Sequence, residues 1–75
     1  MALADRAVHA LAPYVGIRLA DTCVRATALS LEKTFETLGE EDLSAMEDRA
    51  RRLLEPLLPP STIERVVAEI RGESL

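Results

Sequence analysis

The stretch IRLADTCVRATALSLEKTFETL, Ile17 to Leu38, decides the fold, because it is the longest uninterrupted helical pattern in the chain. Placed at about 100° per residue, it separates into two apolar sectors. Ile17, Ala20, Val24, Thr27, Ala28, Leu31, Phe35 and Leu38 form the first. Within it Ile17, Val24, Leu31 and Leu38 are spaced seven apart, which is a coiled-coil-like seam. Leu19, Cys23, Ala26 and Ser30 form an adjoining sector of mostly small side chains, which would let a neighbouring backbone approach closely. The remaining face carries Arg18, Asp21, Arg25, Glu32, Lys33 and Glu36, with Leu29 set among these charges. A helix apolar over so wide an arc must be flanked on more than one side, so the pattern predicts a central packing element.

Working outward, the other segments are shorter helices with one apolar face each. Leu3, Ala7, Val8 and Leu11 have helical spacing, and Pro13 is expected to end that helix at Ala12. The stretch from Pro13 to Gly16 reads as a tight connection. Gly39 suits a left-handed cap on the long helix. A third helix is expected from Asp42 or Ser44 to Leu58, with Leu43, Met46, Ala50, Leu53 and Leu57 as its seam and Leu54 beside them. Glu47–Arg51 and Asp48–Arg52 have the spacing of favourable pairs on its surface, and Pro56 should bend it. After Pro59-Pro60, the run Ser61-Thr62-Ile63-Glu64 has capping-box spacing for a fourth helix. Its buried face would be Ile63, Val66, Val67 and Ile70, and Gly72 its stop. Glu73 to Leu75 reads as a frayed tail. No strand pattern is visible. The prediction is one all-α domain over 1–75, a bundle of three to four helices with antiparallel neighbours around the helix at 17–38.

Composition narrows how such a small bundle is held. The chain has 75 residues with a single Cys and a single His, so neither an internal disulfide nor a Cys/His zinc site is available. Tyr14 and Phe35 are the only aromatic residues, so the core must be aliphatic. Tight helix packing or oligomerisation remain as sources of stability. A homodimer, or docking on a larger partner protein, is therefore expected, with Leu19, Cys23, Ala26, Leu29 and Ser30 as the interaction residues. The net charge of −4 argues against nonspecific binding of nucleic acid or anionic membrane. The surplus acids lie in residues 40–75, and they are expected to form a surface that selects a basic partner. No apolar run is long enough to span a bilayer, and the N-terminus lacks the pattern of a signal peptide, so a cytoplasmic protein is expected.

Several constellations contain side chains capable of chemistry. Glu32 and Glu36 lie one turn apart but on the polar face, without the Glu-x-x-His motif of a di-iron bundle. His9 and Cys23 would form a nucleophilic pair only if folding brought them together, and Cys23 belongs to a packed sector. Arg49, Arg51 and Arg52 splay around their helix among acids, unlike a DNA-reading stripe. A turn at Leu58 to Ser61 would allow a helix–turn–helix, but the fourth helix is poorly basic. Phe35 to Arg49 resembles the segment around the phosphopantetheine serine of acyl carrier proteins, over about a fifth of the chain. Leu38, Gly39 and Leu43 match that motif by spacing and Glu41 stands at its aspartate. Asp42 stands at the attachment serine, so the resemblance implies a relative that cannot be loaded. The expectation is a non-enzymatic interaction module without cofactor or metal. A nucleic-acid-associated dimeric regulator using Arg18 and Arg25, and a small metal- or thiol-dependent protein, are the alternatives.

Overall fold

The computed structural model describes residues 2–73. Four helices follow one another: α1 (Leu3–Val15), α2 (Ile17–Ser30), α3 (Leu43–Leu54) and α4 (Pro60–Arg71). Two short 3-10 turns, Phe35–Thr37 and Glu40–Asp42, lie between α2 and α3. There is no strand among the described residues. The all-α bundle expected from the pattern is the observed fold. α1 packs most extensively on α2 and also on α4, while α3 closes the bundle against α2 and α4. The radius of gyration of 11.1 Å is what a chain of this length reaches when compact on its own, about 11 Å.

Alanine is prominent in the buried faces of α1 and α2, the pair in most extensive contact. Ala4, Ala7 and Ala10 of α1 and Ala20 and Ala28 of α2 are all buried, and side chains this small allow two helices to approach closely. Leu3, Leu11, Val24, Met46, Leu54, Val66 and Ile70 fill the space around them and are completely buried. Each such aliphatic side chain contributes about 1.5–3 kcal/mol by leaving water. Thr27 is also fully buried, and its hydroxyl donates to the Cys23 carbonyl at 2.8 Å, so no polar group is left unsatisfied there.

The first correction concerns the long helix. α2 stops at Ser30, eight residues before Leu38. The Lys33 amide donates to the Ala28 carbonyl at 2.8 Å, and the Glu32 amide to the Leu29 carbonyl at 3.0 Å. These two bonds are the Schellman arrangement. Its left-handed residue is Glu32, at φ 59°. A side chain other than Gly or Asn is costly there, by roughly 1–2 kcal/mol. Gly72 closes α4 through the same pair of bonds at φ 86°, where glycine carries no such cost. The seven-residue seam is therefore cut. Ile17 is 63% exposed, Val24 is buried, and Leu38 reaches the core from beyond the helix.

Other boundaries also moved. Pro13 does not end α1; the helix runs through it to Val15, with Pro13 on the exposed side. Gly16 alone makes the connection. Its amide donates to Ala12 and its carbonyl accepts from Ala20, at φ 89° and ψ 155°, backbone angles that only glycine adopts freely. Gly39 is extended and stands at the start of the Glu40–Asp42 turn instead of closing a helix in left-handed form. α3 ends at Leu54, before Pro56, and Leu57 is exposed instead of joining the seam. The capping box at Ser61 is absent. Pro60 already occupies the first turn of α4, where its missing N–H is harmless, and Glu64 is turned to Arg51. Ile63, Val66, Val67 and Ile70 are buried and Gly72 ends α4, as the sequence predicts. Of the expected tail, Ser74 and Leu75 lie outside the described residues.

Ion pairs fasten the ends. Arg71 holds Glu47 with two hydrogen bonds, 3.0 and 2.9 Å, joining α4 to α3. Arg51 holds Glu64 in the same forked way, at 3.2 and 2.9 Å. Arg6 donates to the Ile70 carbonyl at 3.0 Å, at the open end of α4, and forks onto Glu40. Lys33 reaches Asp42 at 2.6 Å and Glu41 at 3.2 Å, bracing the connection that leads to α3.

The Asp42 carboxylate also accepts the Gly39 amide at 3.0 Å. That bond, then the Lys33 ammonium, hold its carboxyl below the usual aspartate range. Glu41 and Glu64 are lowered too, Glu64 chiefly by Arg51. The folded state therefore binds fewer protons than the unfolded chain at mildly acid pH. This stabilisation is complete above the unfolded carboxylate range, above about pH 5, and is lost as pH falls through the lowered folded values. The urea midpoint should be level down to the first value and then drop, with a shallower acid limb in Asp42→Asn. Glu32→Gly should raise stability in urea by about 1 kcal/mol through relief of the left-handed position; a loss of stability would contradict that geometry.

Candidate functional site

The outer face of α2 is left partly uncovered. Leu29 is 77% exposed and Leu19 is 43% exposed, the two ends of a line that includes Thr22 and Ala26. The spacing 19, 22, 26, 29 alternates three and four, so these residues form one stripe along about 15 Å of helix. Beside it α3 rises as a wall. Leu19, Thr22, Cys23 and Ala26 from α2, and Arg49, Arg52 and Leu53 from α3, line a cavity of about 310 Å³. A second cavity of about 160 Å³ continues it toward the end of α2, lined by Thr27, Ser30, Ala45, Asp48, Arg49 and Arg52. Arg49 and Arg52 thus border both.

Why the groove stays open follows from the side chains. α2 presents small residues here, so α3 leaves a furrow instead of interlocking with large knobs. Leu53 is only half-buried, because Leu54 takes the core position next to it. Arg49 and Arg52 make no hydrogen bond or ion pair within the described chain, unlike Arg51 between them in sequence, which is held by Glu64 and approached by Glu47 at 3.7 Å. The expected Asp48–Arg52 pair does not form.

Of the residues singled out from sequence, Leu19, Cys23 and Ala26 share the groove, Ser30 borders its continuation, and Leu29 stands on the outward shoulder. Ser30 donates to the Thr27 carbonyl at 2.7 Å, which caps the end of α2. Sequence reasoning missed Arg49 and Arg52 as part of this surface. Their spacing with Ala45 and Leu53 was a usable signal, because positions three and four apart share a helix face.

Cys23 is half-buried. Burial pushes its thiol above the ordinary range, with the Arg49 guanidinium opposing the shift. It lies in the α2–α3 groove, whereas His9 lines a separate cavity of about 200 Å³ with Arg6, Glu69, Gly72 and Glu73. The two are not brought together as a nucleophilic pair. Glu32 and Glu36 are exposed, and among the described residues no group of three or more His, Cys, Asp or Glu side chains converges to hold a metal ion. Arg25 is engaged by Asp21 at 2.8 Å and lies 4.7 Å above the Phe35 ring, so it is not a loose cation beside Arg18. At the position of a carrier protein's loaded serine, Asp42 is buried and bound to Lys33 and Gly39.

Comparison with family models, curated proteins and solved structures finds no match to this chain. No helix among the described residues is long and apolar enough to cross a membrane.

With its thiol raised, Cys23 should react slowly with a disulfide reagent at pH 7.5, and faster as the pH rises past the ordinary thiol value of about 8.5. Arg49→Ala should shift that rate profile to higher pH. A rate at pH 7.5 equal to that of free glutathione would contradict the burial.

Proposed function

We propose that this chain is a small, non-catalytic protein–protein interaction module that acts as an accessory subunit, adaptor or regulator through the outward face of α2. The observation that carries this reading is Leu29, 77% exposed and in line with Leu19 along a helix whose opposite face is fully packed. A single exposed leucine is common on any protein surface. Two leucines in one stripe, beside a furrow with an apolar floor, are a docking arrangement. The side chains named from the sequence for this role, Leu19, Cys23, Ala26, Leu29 and Ser30, all lie on or beside this face.

Two parts of the expectation change in weight. Self-association has three grounds, the seven-residue seam, the small-residue sector beside it and the small size of the chain, and the first of these is cut where α2 ends at Ser30. The acidic surplus of residues 40–75 was assigned to partner selection, yet Glu40, Glu41, Asp42, Glu47 and Glu64 are all engaged within the chain. What favours an external partner is the α2 stripe with the unpaired arginines next to it.

Site-specific photo-crosslinking tests the reading. A benzophenone side chain at position 29, introduced in the native host, should give a discrete covalent adduct with another polypeptide. The same group at position 36, also exposed, serves as the control. Equal labelling at both positions, or none at 29, would remove the α2 face as an interaction surface.

A further inference from the structure

We propose that the groove between α2 and α3 receives an acidic amphipathic helix of a partner protein, with Arg49 and Arg52 pairing its carboxylates. This rests on the interaction reading above and specifies the partner. Three observations converge. The stripe Leu19, Thr22, Ala26, Leu29 repeats at three and four residues, which is the spacing that meshes with another helix. A strand has nothing to pair with, because no sheet edge exists among the described residues. The furrow beside the stripe offers about 310 Å³ to incoming side chains, with Leu53 and the half-buried Cys23 in its lining.

Charge selects among helices. Arg49 and Arg52 border the whole groove and have no partner in the described chain, and Arg18 is exposed on the same helix as the stripe. Asp48 is the one carboxylate that lines the continuation toward Ser30, and Asp21 is taken by Arg25. Covering two arginines with an apolar or basic surface would strip them of water without compensation. Carboxylates on the incoming helix, one turn apart, would meet them. A second copy of this chain does not fit this requirement. Pairing two such faces would bring each copy's Arg49 and Arg52 toward the other's, with Asp48 as the only lining carboxylate on each copy to answer two arginines.

The groove is short, so the complex belongs with small, transient interfaces and an affinity of about micromolar. Its test uses the full chain and two fluorescent helical peptides of about 15 residues, long enough to follow the stripe. Both carry leucines at the same three–four spacing, one with glutamates and the other with lysines at the flanking positions. The glutamate peptide should bind at least about tenfold more tightly, weaken as salt rises, and slow the alkylation of Cys23. In Arg49→Glu/Arg52→Glu the preference should invert, with the lysine peptide binding better. Arg52 is exposed, Arg49 is half-buried, and neither has an ion-pair or hydrogen-bond partner among the described residues, so this variant should fold with unchanged helicity. Equal binding of both peptides, or binding that leaves Cys23 alkylation unchanged, would overturn the proposal, as would binding of neither. So would a concentration-dependent dimer that protects Cys23 without any peptide. The crosslink at position 29 separates this outcome from failure of the interaction reading, because it reports a partner of any chemistry.

Discussion

The rest of the structure depends on the close contact between α1 and α2. A chain of 75 residues with two aromatic side chains cannot fill a wide interior. It closes a narrow one instead, in which Ala4, Ala7 and Ala10 of α1 and Ala20 and Ala28 of α2 are all buried. Short side chains suit close helix packing, and Leu3, Leu11 and Val24 are buried with them as larger members of the same core. Gly16 serves the same constraint, because a one-residue connection keeps the two helices adjacent from their first turn. α3 and α4 cover what this pair leaves apolar.

The small residues that allow this packing also explain the open surface. α2 is small-sided on two flanks. One flank is filled by α1, and the other meets α3 only partly, which leaves the furrow at Cys23 and Ala26. The charge network reinforces the distinction. Arginines 6, 51 and 71 and Lys33 are each engaged in holding one segment to another. Arg49 and Arg52 are not so engaged, and both stand at the furrow. A surface whose charges are left out of the folding network, next to exposed leucine, is the one on which the proposed interaction rests.

The two helix stops in Schellman form show where sequence reading succeeds and where it fails. Gly72 was legible because glycine is the residue that suits a left-handed position. Glu32 was not, because nothing in a glutamate signals the same backbone turn. The helical pattern does continue past Ser30 in sequence, through Leu31, Phe35 and Leu38. Those residues still face the core, but from a folded-back connection held by Lys33 and Asp42 and by Arg25 above Phe35. Apolar periodicity reports burial, and burial is reached here by two different backbones. The candidate site was read in the same partial way. Leu19, Cys23 and Ala26 followed from the small-residue sector, whereas the arginine wall required knowing which face of α3 turns toward α2.

The sequence by itself determined the helical class, the aliphatic core, the buried face of α4 and its stop at Gly72. All of these are local: they depend on the period of apolar side chains and on the angles a glycine or proline permits. Only the tertiary structure decided where α2 ends, which acids are held by which bases, and which arginines remain outside. The physical reason is that these outcomes depend on contacts across long stretches of chain, as between Arg6 and Ile70 or Glu47 and Arg71. In such contacts, partners far apart in sequence compete for the same charge, and no local periodicity records which of them wins.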